Sequence, residues 1–240
     1  MKKIGIIGAM EIEVEMLKKA MQPLAGKKEI ASTETAGLVF FEGSIGGVDT
    51  VVVRSGIGKV NAALCAQRLI LQFGVTAVIN TGIAGAMAHG LGVLDIVVST
   101  DALYHDMDVT GFGYKICEIP QMKVSDFAAD THMIDTARSV FKALPAAVGH
   151  HIVSGRVASG DQFISDKKIK EHIRDICNPA CVEMEGAAIA HACYISGVPF
   201  LIIRCMSDMA DDGGENTYQF NDKTAAELSG SLVMAMLEKL

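Results

Sequence analysis

The chain has 240 residues, half of them hydrophobic, and its 28 acidic side chains outweigh 21 lysines and arginines to leave a formal net charge of -7. Its basic residues are scattered, whereas phosphate backbones are held by clustered Lys and Arg, so nucleic acid is excluded as a partner and a small uncharged or cationic ligand fits better than a polyanion. No apolar run is long enough to span a bilayer, which excludes a helical membrane span and a membrane partner with it.

The first stretch, "KKIGIIGAM", is a continuous apolar run ending in Gly and Ala, as a buried central strand does. Its two lysines mimic a signal peptide, but the apolar part is short and runs straight into "EIEVE". "EIEVEMLKKAMQPL" has helical spacing and is closed by Pro23, and "LVFFEGSIGGVDTVVVRSGIGK" reads as two strands around a glycine turn. A helix follows over "VNAALCAQRLILQFG", ended by Gly74. "TAVINTGIAGAM" is a buried strand passing into a glycine-rich loop, "LDIVVSTDALYH" is a strand, and Gly111 to Asp126 is rich in turns. "MIDTARSVFKAL" is helical, "HHIVSGRVASGD" strand-like, and "SDKKIKEHIRDI" a helix that Ser165 can cap. "ACVEME" and "VPFLIIRCMSD" are strands around the helix "GAAIAHACYISG", and "KTAAELSGSLVMAMLEKL" closes the chain as a helix. With no repeat, low-complexity tract or linker, residues 1–240 are expected to form a single α/β domain, a central mixed twisted sheet flanked by helices.

Ligands of open α/β sheets bind beyond the carboxyl ends of the strands. The first strand ends at Gly8 and leads to Met10 and Glu13, "ACVEME" ends at Met184 and Glu185, and "PFLIIRCMSD" ends at Ser207 and Asp208. Three acids from distant parts of the chain are thereby expected on one rim, beside the loop "TGIAGAM". Each has a structural alternative. Among Glu11, Glu13 and Glu15, two can be solvated or simply favourable at a helix N-terminus, and Glu13 points away from the face that Glu11 and Glu15 share. One acid of "VEMEG" can sit in a salt bridge, and Asp208 can cap a turn. A buried charge is expensive without a partner, so the convergence of three carries more weight than any one of them.

Other motifs fail. "GIIGAM" lacks the third glycine of a dinucleotide fingerprint, and "SGIGKV" lacks the first glycine and the Ser/Thr of a P-loop. The seven histidines form no metal-binding spacing; His150 and His151 read as an exposed loop pair and His191 as a satisfied core residue. "VSGRVASGD" is not a nucleophile elbow. The six cysteines at 65, 117, 177, 181, 193 and 205 contain no C-x-x-C pair, which points to buried free thiols in a reducing, cytoplasmic setting.

"KIGIIGAMEIEVEML", "SGIGKVNAAL", "NTGIAGA", "DVTGFGY", "SGDQFI", "VEMEGAAIAHAC" and "RCMSDMAD" follow one another in this order. Together they resemble the bacterial 5′-methylthioadenosine/S-adenosylhomocysteine nucleosidases of the nucleoside phosphorylase superfamily, over nearly the whole chain. The resemblance implies hydrolysis of the adenine N-glycosidic bond with no metal or organic cofactor, in a homodimer, with methionine salvage, quorum-signal precursor formation and menaquinone synthesis all open as the pathway served. It implies that Glu13 holds and activates the attacking water and that Asp208 protonates or hydrogen-bonds adenine N7, oriented by Ser207. Glu185 would hold the ribose hydroxyls with Met184 packed on the sugar. Phe163 would stack on adenine, Ile164 would bond it through its backbone, and Arg204 would sit near the water. Met10 and Tyr218 would line an apolar slot for the thioether, completed by Phe112, Ile119 and Pro120 of a partner subunit. Two positions depart from the usual pattern: Ile83 replaces a frequent serine, leaving its role to backbone N–H groups or Arg204, and Tyr218 stands where phenylalanine is common. The chemistry suits the residue types, because an oxocarbenium-like state is stabilised by nearby negative charge and adenine leaves poorly as an anion. A phosphorylase of the same fold and a non-catalytic nucleoside sensor are the alternatives; the first would place arginine at the glycine loop, and the second has no need of a general acid.

Overall fold

The computed structural model describes residues 3–210 and 214–240, and the side chains of 3–210 and 221–240. β1 (Lys3–Gly8) is buried along almost its whole length, and α1 (Glu11–Ala20) follows with acids in its first turn and lysines in its last, both complementing the helix dipole. The exposed β2 (Ala31–Thr35) precedes β3 (Leu38–Ile45) and β4 (Val48–Arg54). α2 (Lys59–Phe73) ends on Gly74, whose φ of 63° supplies the left-handed cap that glycine adopts without penalty. β5 (Ala77–Ala86) is buried at every position, and β6 (Ile96–Tyr104), the short β7 (Phe127–Ala128) and α3 (Thr131–Phe141) come next. β8 (Ile152–Ser159), α4 (Lys167–Cys177), β9 (Cys181–Glu183), α5 (Gly186–Ser196), β10 (Phe200–Asp208) and α6 (Gly214–Leu237) complete the chain. No described helix is long and apolar enough to cross a membrane.

One mixed sheet runs in the order β10-β6-β8-β9-β5-β1-β4-β3-β2, with β7 attached to β6. β10 also pairs in parallel with β5, so five strands close into a ring from which β1, β4, β3 and β2 extend as an open wing. β1 is parallel to both β4 and β5, and their carboxyl ends share an edge with that of β10. The α/β class and the mixed sheet flanked by helices agree with expectation, and the core is aliphatic, centred on Ile, Val, Leu and Ala of the sheet and of α2, α5 and α6. All six cysteines are buried free thiols.

Several boundaries differ. "TGIAGAM" is not a loop: β5 continues through it as strand to Ala86, because β10 pairs along it from Phe200 to Asp208. "ACVEME" ends as a strand at Glu183, and Glu185 is the N-cap of α5. The first helix stops at Ala20, before Pro23, since Gln22 bridges to Ser44 of β3. Asp166 caps α4 in place of Ser165, its carboxylate accepting from the amides of Lys168 and Ile169. The last helix begins at Gly214, ahead of Lys223.

Candidate active site

A cleft opens at the shared carboxyl edge, where ligands of open α/β sheets bind. Its walls are Ala9, Met10 and Glu13 after β1, Ile57 before α2, Ile83, Ala84 and Gly85 of β5, Phe163, the run Val182–Glu185, and Ser207 and Asp208 of β10. Its polar side chains are almost all carboxylates.

Glu13 occupies the third position of α1, where a glutamate commonly bonds back to the helix start. Its Oε2 accepts from the amides of Ala9 at 2.7 Å and Met10 at 2.9 Å, and its Oε1 accepts from the Ile83 amide at 3.0 Å. The Ile83 backbone thus supplies a donor where the side chain has none. Arg204 lies behind this carboxylate, 3.7 Å from its Oε1, and is only 1% exposed. The guanidinium also pairs with Glu183, approaches Glu185 Oε2 at 3.5 Å and donates to Asn80 Oδ1 at 2.6 Å. Glu183 in turn accepts from the Ser159 hydroxyl and the amides of Glu185 and Gly186. Both "VEMEG" acids therefore pair with Arg204, Glu183 through a direct hydrogen bond and Glu185 at 3.5 Å.

Three carboxylates around one buried cation leave an excess of negative charge. Burial pushes Glu13 above the ordinary carboxylate value, and Arg204 and the three amides only partly oppose it. Burial also pushes Glu185 up, to about 7, with the Glu183 carboxylate adding to the effect. Desolvation would lower Arg204, but Glu183, Glu185 and Glu13 outweigh it and hold the guanidinium above its usual value. A carboxyl with raised proton affinity, still fixed by hydrogen bonds, suits general-base work near neutral pH. Asp208, which also lines the cleft, is held by two donors, the Ser207 hydroxyl and the Ala210 amide, each at 2.7 Å.

The expected residues divide into groups. Met10, Glu13, Ile83, Phe163, Met184, Glu185, Ser207 and Asp208 all meet on the cleft. Arg204 stands behind the lining and contacts it through Glu13, Glu183 and Glu185. The Ile164 side chain is buried in a small neighbouring cluster with Met87, Leu103 and Val182. Phe112 is 86% exposed, and it, Ile119 and Pro120 lie off this chain's cleft. The Tyr218 side chain lies outside the described residues. Sequence reasoning missed Ile57, Val182, Asn80, Ser159 and the Gly58 amide, which donates to Glu185 Oε1 at 2.9 Å. Of these only Asn80 carried a signal, as a polar residue inside an apolar strand. Among the described residues, no group of three or more His, Cys, Asp or Glu is arranged to hold a metal ion.

A family model described as the phosphorylase superfamily matches residues 3–238. The chain belongs to that superfamily. A 5′-methylthioadenosine/S-adenosylhomocysteine nucleosidase from Halalkalibacterium halodurans is 42% identical over 241 residues, covering 100% of both chains. The crystal structure of the corresponding nucleosidase from Colwellia psychrerythraea 34H, in complex with adenine, is 40% identical with a TM-score of 0.93, covering 100% of this chain and 96% of that one. A futalosine hydrolase from Helicobacter pylori superposes with a TM-score of 0.91 at 29% identity, covering 100% of this chain and 98% of that one. Within the superfamily, the chain groups with these nucleosidases.

Proposed function

We infer that this protein is a hydrolase that cleaves the N-glycosidic bond of 5′-methylthioadenosine and S-adenosylhomocysteine, and of 5′-deoxyadenosine, releasing adenine and the 5′-substituted ribose. One observation carries the reading: Glu13, Glu185 and Asp208 share a single cleft in a chain that groups with nucleosidases over its whole length. Asp208, held by Ser207 and the Ala210 amide, hydrogen-bonds or protonates adenine N7 so that the base leaves neutral. Glu185 accepts the ribose hydroxyls, with Met184 against the sugar, and the nearby carboxylates stabilise the oxocarbenium-like state. Glu13 takes the proton of the attacking water, and its three amide donors keep it in place for the purpose. Phe163 stacks on adenine, Ile164 bonds it through its backbone, and Met10 with Tyr218 lines the slot for the thioether.

The whole chain works as one domain, in a cytoplasmic homodimer that serves methionine salvage. Val60 and Leu64 are exposed along α2 beside the cleft residue Ile57, and Phe112 is exposed too, which supports a partner subunit covering this side and lending Phe112, Ile119 and Pro120 to the other cleft. No arginine lines the cleft among the described residues, and Glu13 and Glu185 would repel a bound phosphate; this favours water over phosphate as the nucleophile. In phosphate-free buffer the protein is expected to release adenine from 5′-methylthioadenosine with free methylthioribose as co-product. A requirement for phosphate, with the sugar 1-phosphate formed, would make it a phosphorylase, and saturable binding without adenine release would make it a sensor.

A further inference from the structure

The N-cap of α2 is Gly58, which has no side chain to cap the helix, and the amides at this end are used by carboxylates from elsewhere in the chain. The Gly58 amide goes to Glu185, and the next, that of Lys59, donates to Asp161 Oδ1 at 2.9 Å. The Lys59 ammonium, over the Tyr104 ring, donates to Asp106 Oδ2 at 2.6 Å and stands 3.6 Å from Asp161 Oδ2. Asp106 Oδ2 accepts a further bond, from the Asp161 amide at 3.1 Å. Asp161 lies two residues before Phe163 in the segment between β8 and α4, and the preceding Gly160 amide is bonded to the Glu183 carbonyl at 3.2 Å. The carboxylate assigned to ribose and the segment carrying the ring assigned to adenine are thus joined through a single helix terminus.

We propose that Lys59, Asp106 and Asp161 are positioning residues, a latch that ties the Phe163 segment to the amide holding Glu185 so that the base and ribose contacts are set as a unit. None of the three lines the cleft. An isolated exposed ion pair contributes little, but here the charges share backbone donors with each other and with a helix end. The proposal rests on the nucleoside reading of the cleft, and it concerns binding, not the chemical step.

Two readouts test it on the full chain: KM and kcat for 5′-methylthioadenosine, and the Kd of adenine. Asp161→Ala is expected to raise KM and the adenine Kd about 10-fold, the value of one charge-assisted hydrogen bond, while kcat stays within about twofold. Asp161→Asn, which retains an acceptor for the Lys59 amide, recovers most of the loss, a rescue that a general weakening of the fold would not show. Lys59→Met keeps the amide and removes the ammonium, and raises both constants about threefold. If Asp161→Ala does not fold, Lys59→Met decides alone. KM and Kd unchanged in the variants that fold, or a loss confined to kcat, overturns the latch. Absence of adenine release by the wild type overturns the hydrolase reading instead, and the adenine Kd still judges the latch.

Discussion

Glu185 illustrates how far one side chain's surroundings decide its chemistry. Burial and the Glu183 carboxylate push it up to about 7, against the pull of Arg204 and the Gly58 amide. The folded protein therefore holds this proton more tightly than the unfolded chain. The stability that follows is fully present below the unfolded value of 4.5 and is lost as the pH rises through about 7. Relative to Glu185→Gln, the wild type should lose up to about 3 kcal/mol across that window, read by denaturant unfolding at its two ends. Parallel stability profiles for the two proteins would contradict it. At this scale the acids were legible, because carboxylates at the ends of apolar runs need a reason to be there. Their partners were not: Arg204 meets Asn80 across 124 residues and Glu183 across 21, and nothing local to "VEMEG" says which of its acids takes the direct hydrogen bond from Arg204.

β5 shows the same division among elements. Its apolar run was readable as a buried strand, yet "TGIAGAM" read as a loop because glycines signal turns when no pairing partner is known. Here the glycines serve close approach inside a strand. A Cβ on Gly82 would overlap Glu13 Oε1 and Arg204 Nη1, and one on Gly85 would lie 3.0 Å from Asp208 Oδ1. Gly82→Ala should fold with a loss of about 1–3 kcal/mol from overpacking and lose adenine release by at least about 100-fold, since it displaces Glu13. Activity near wild type in that variant would show that the Glu13 position is not required. The long strands and helices were legible from periodicity. The exposed β2 and two-residue β7 offered no apolar pattern to read, and at α4 both Ser165 and Asp166 are capping residue types, so only the fold decides between them.

For the molecule as a whole, the decisive event is the closing of the sheet through the β5–β10 pairing. It brings the first strand's Glu13, the middle strand's Ile83 and the last strand's Asp208 to one edge, and β9 delivers Glu185 beside them. Such a closure depends on contacts far apart in sequence, so the rim was foreseeable from the general rule for α/β sheets but the ring was not. The division of labour across this edge is most directly tested by single-turnover adenine release and nucleoside affinity in Asp208→Asn and Glu13→Gln. Each should bind 5′-methylthioadenosine within a few-fold of wild type and release adenine at least about 100-fold more slowly. Release at close to the wild-type rate by either variant would contradict the account.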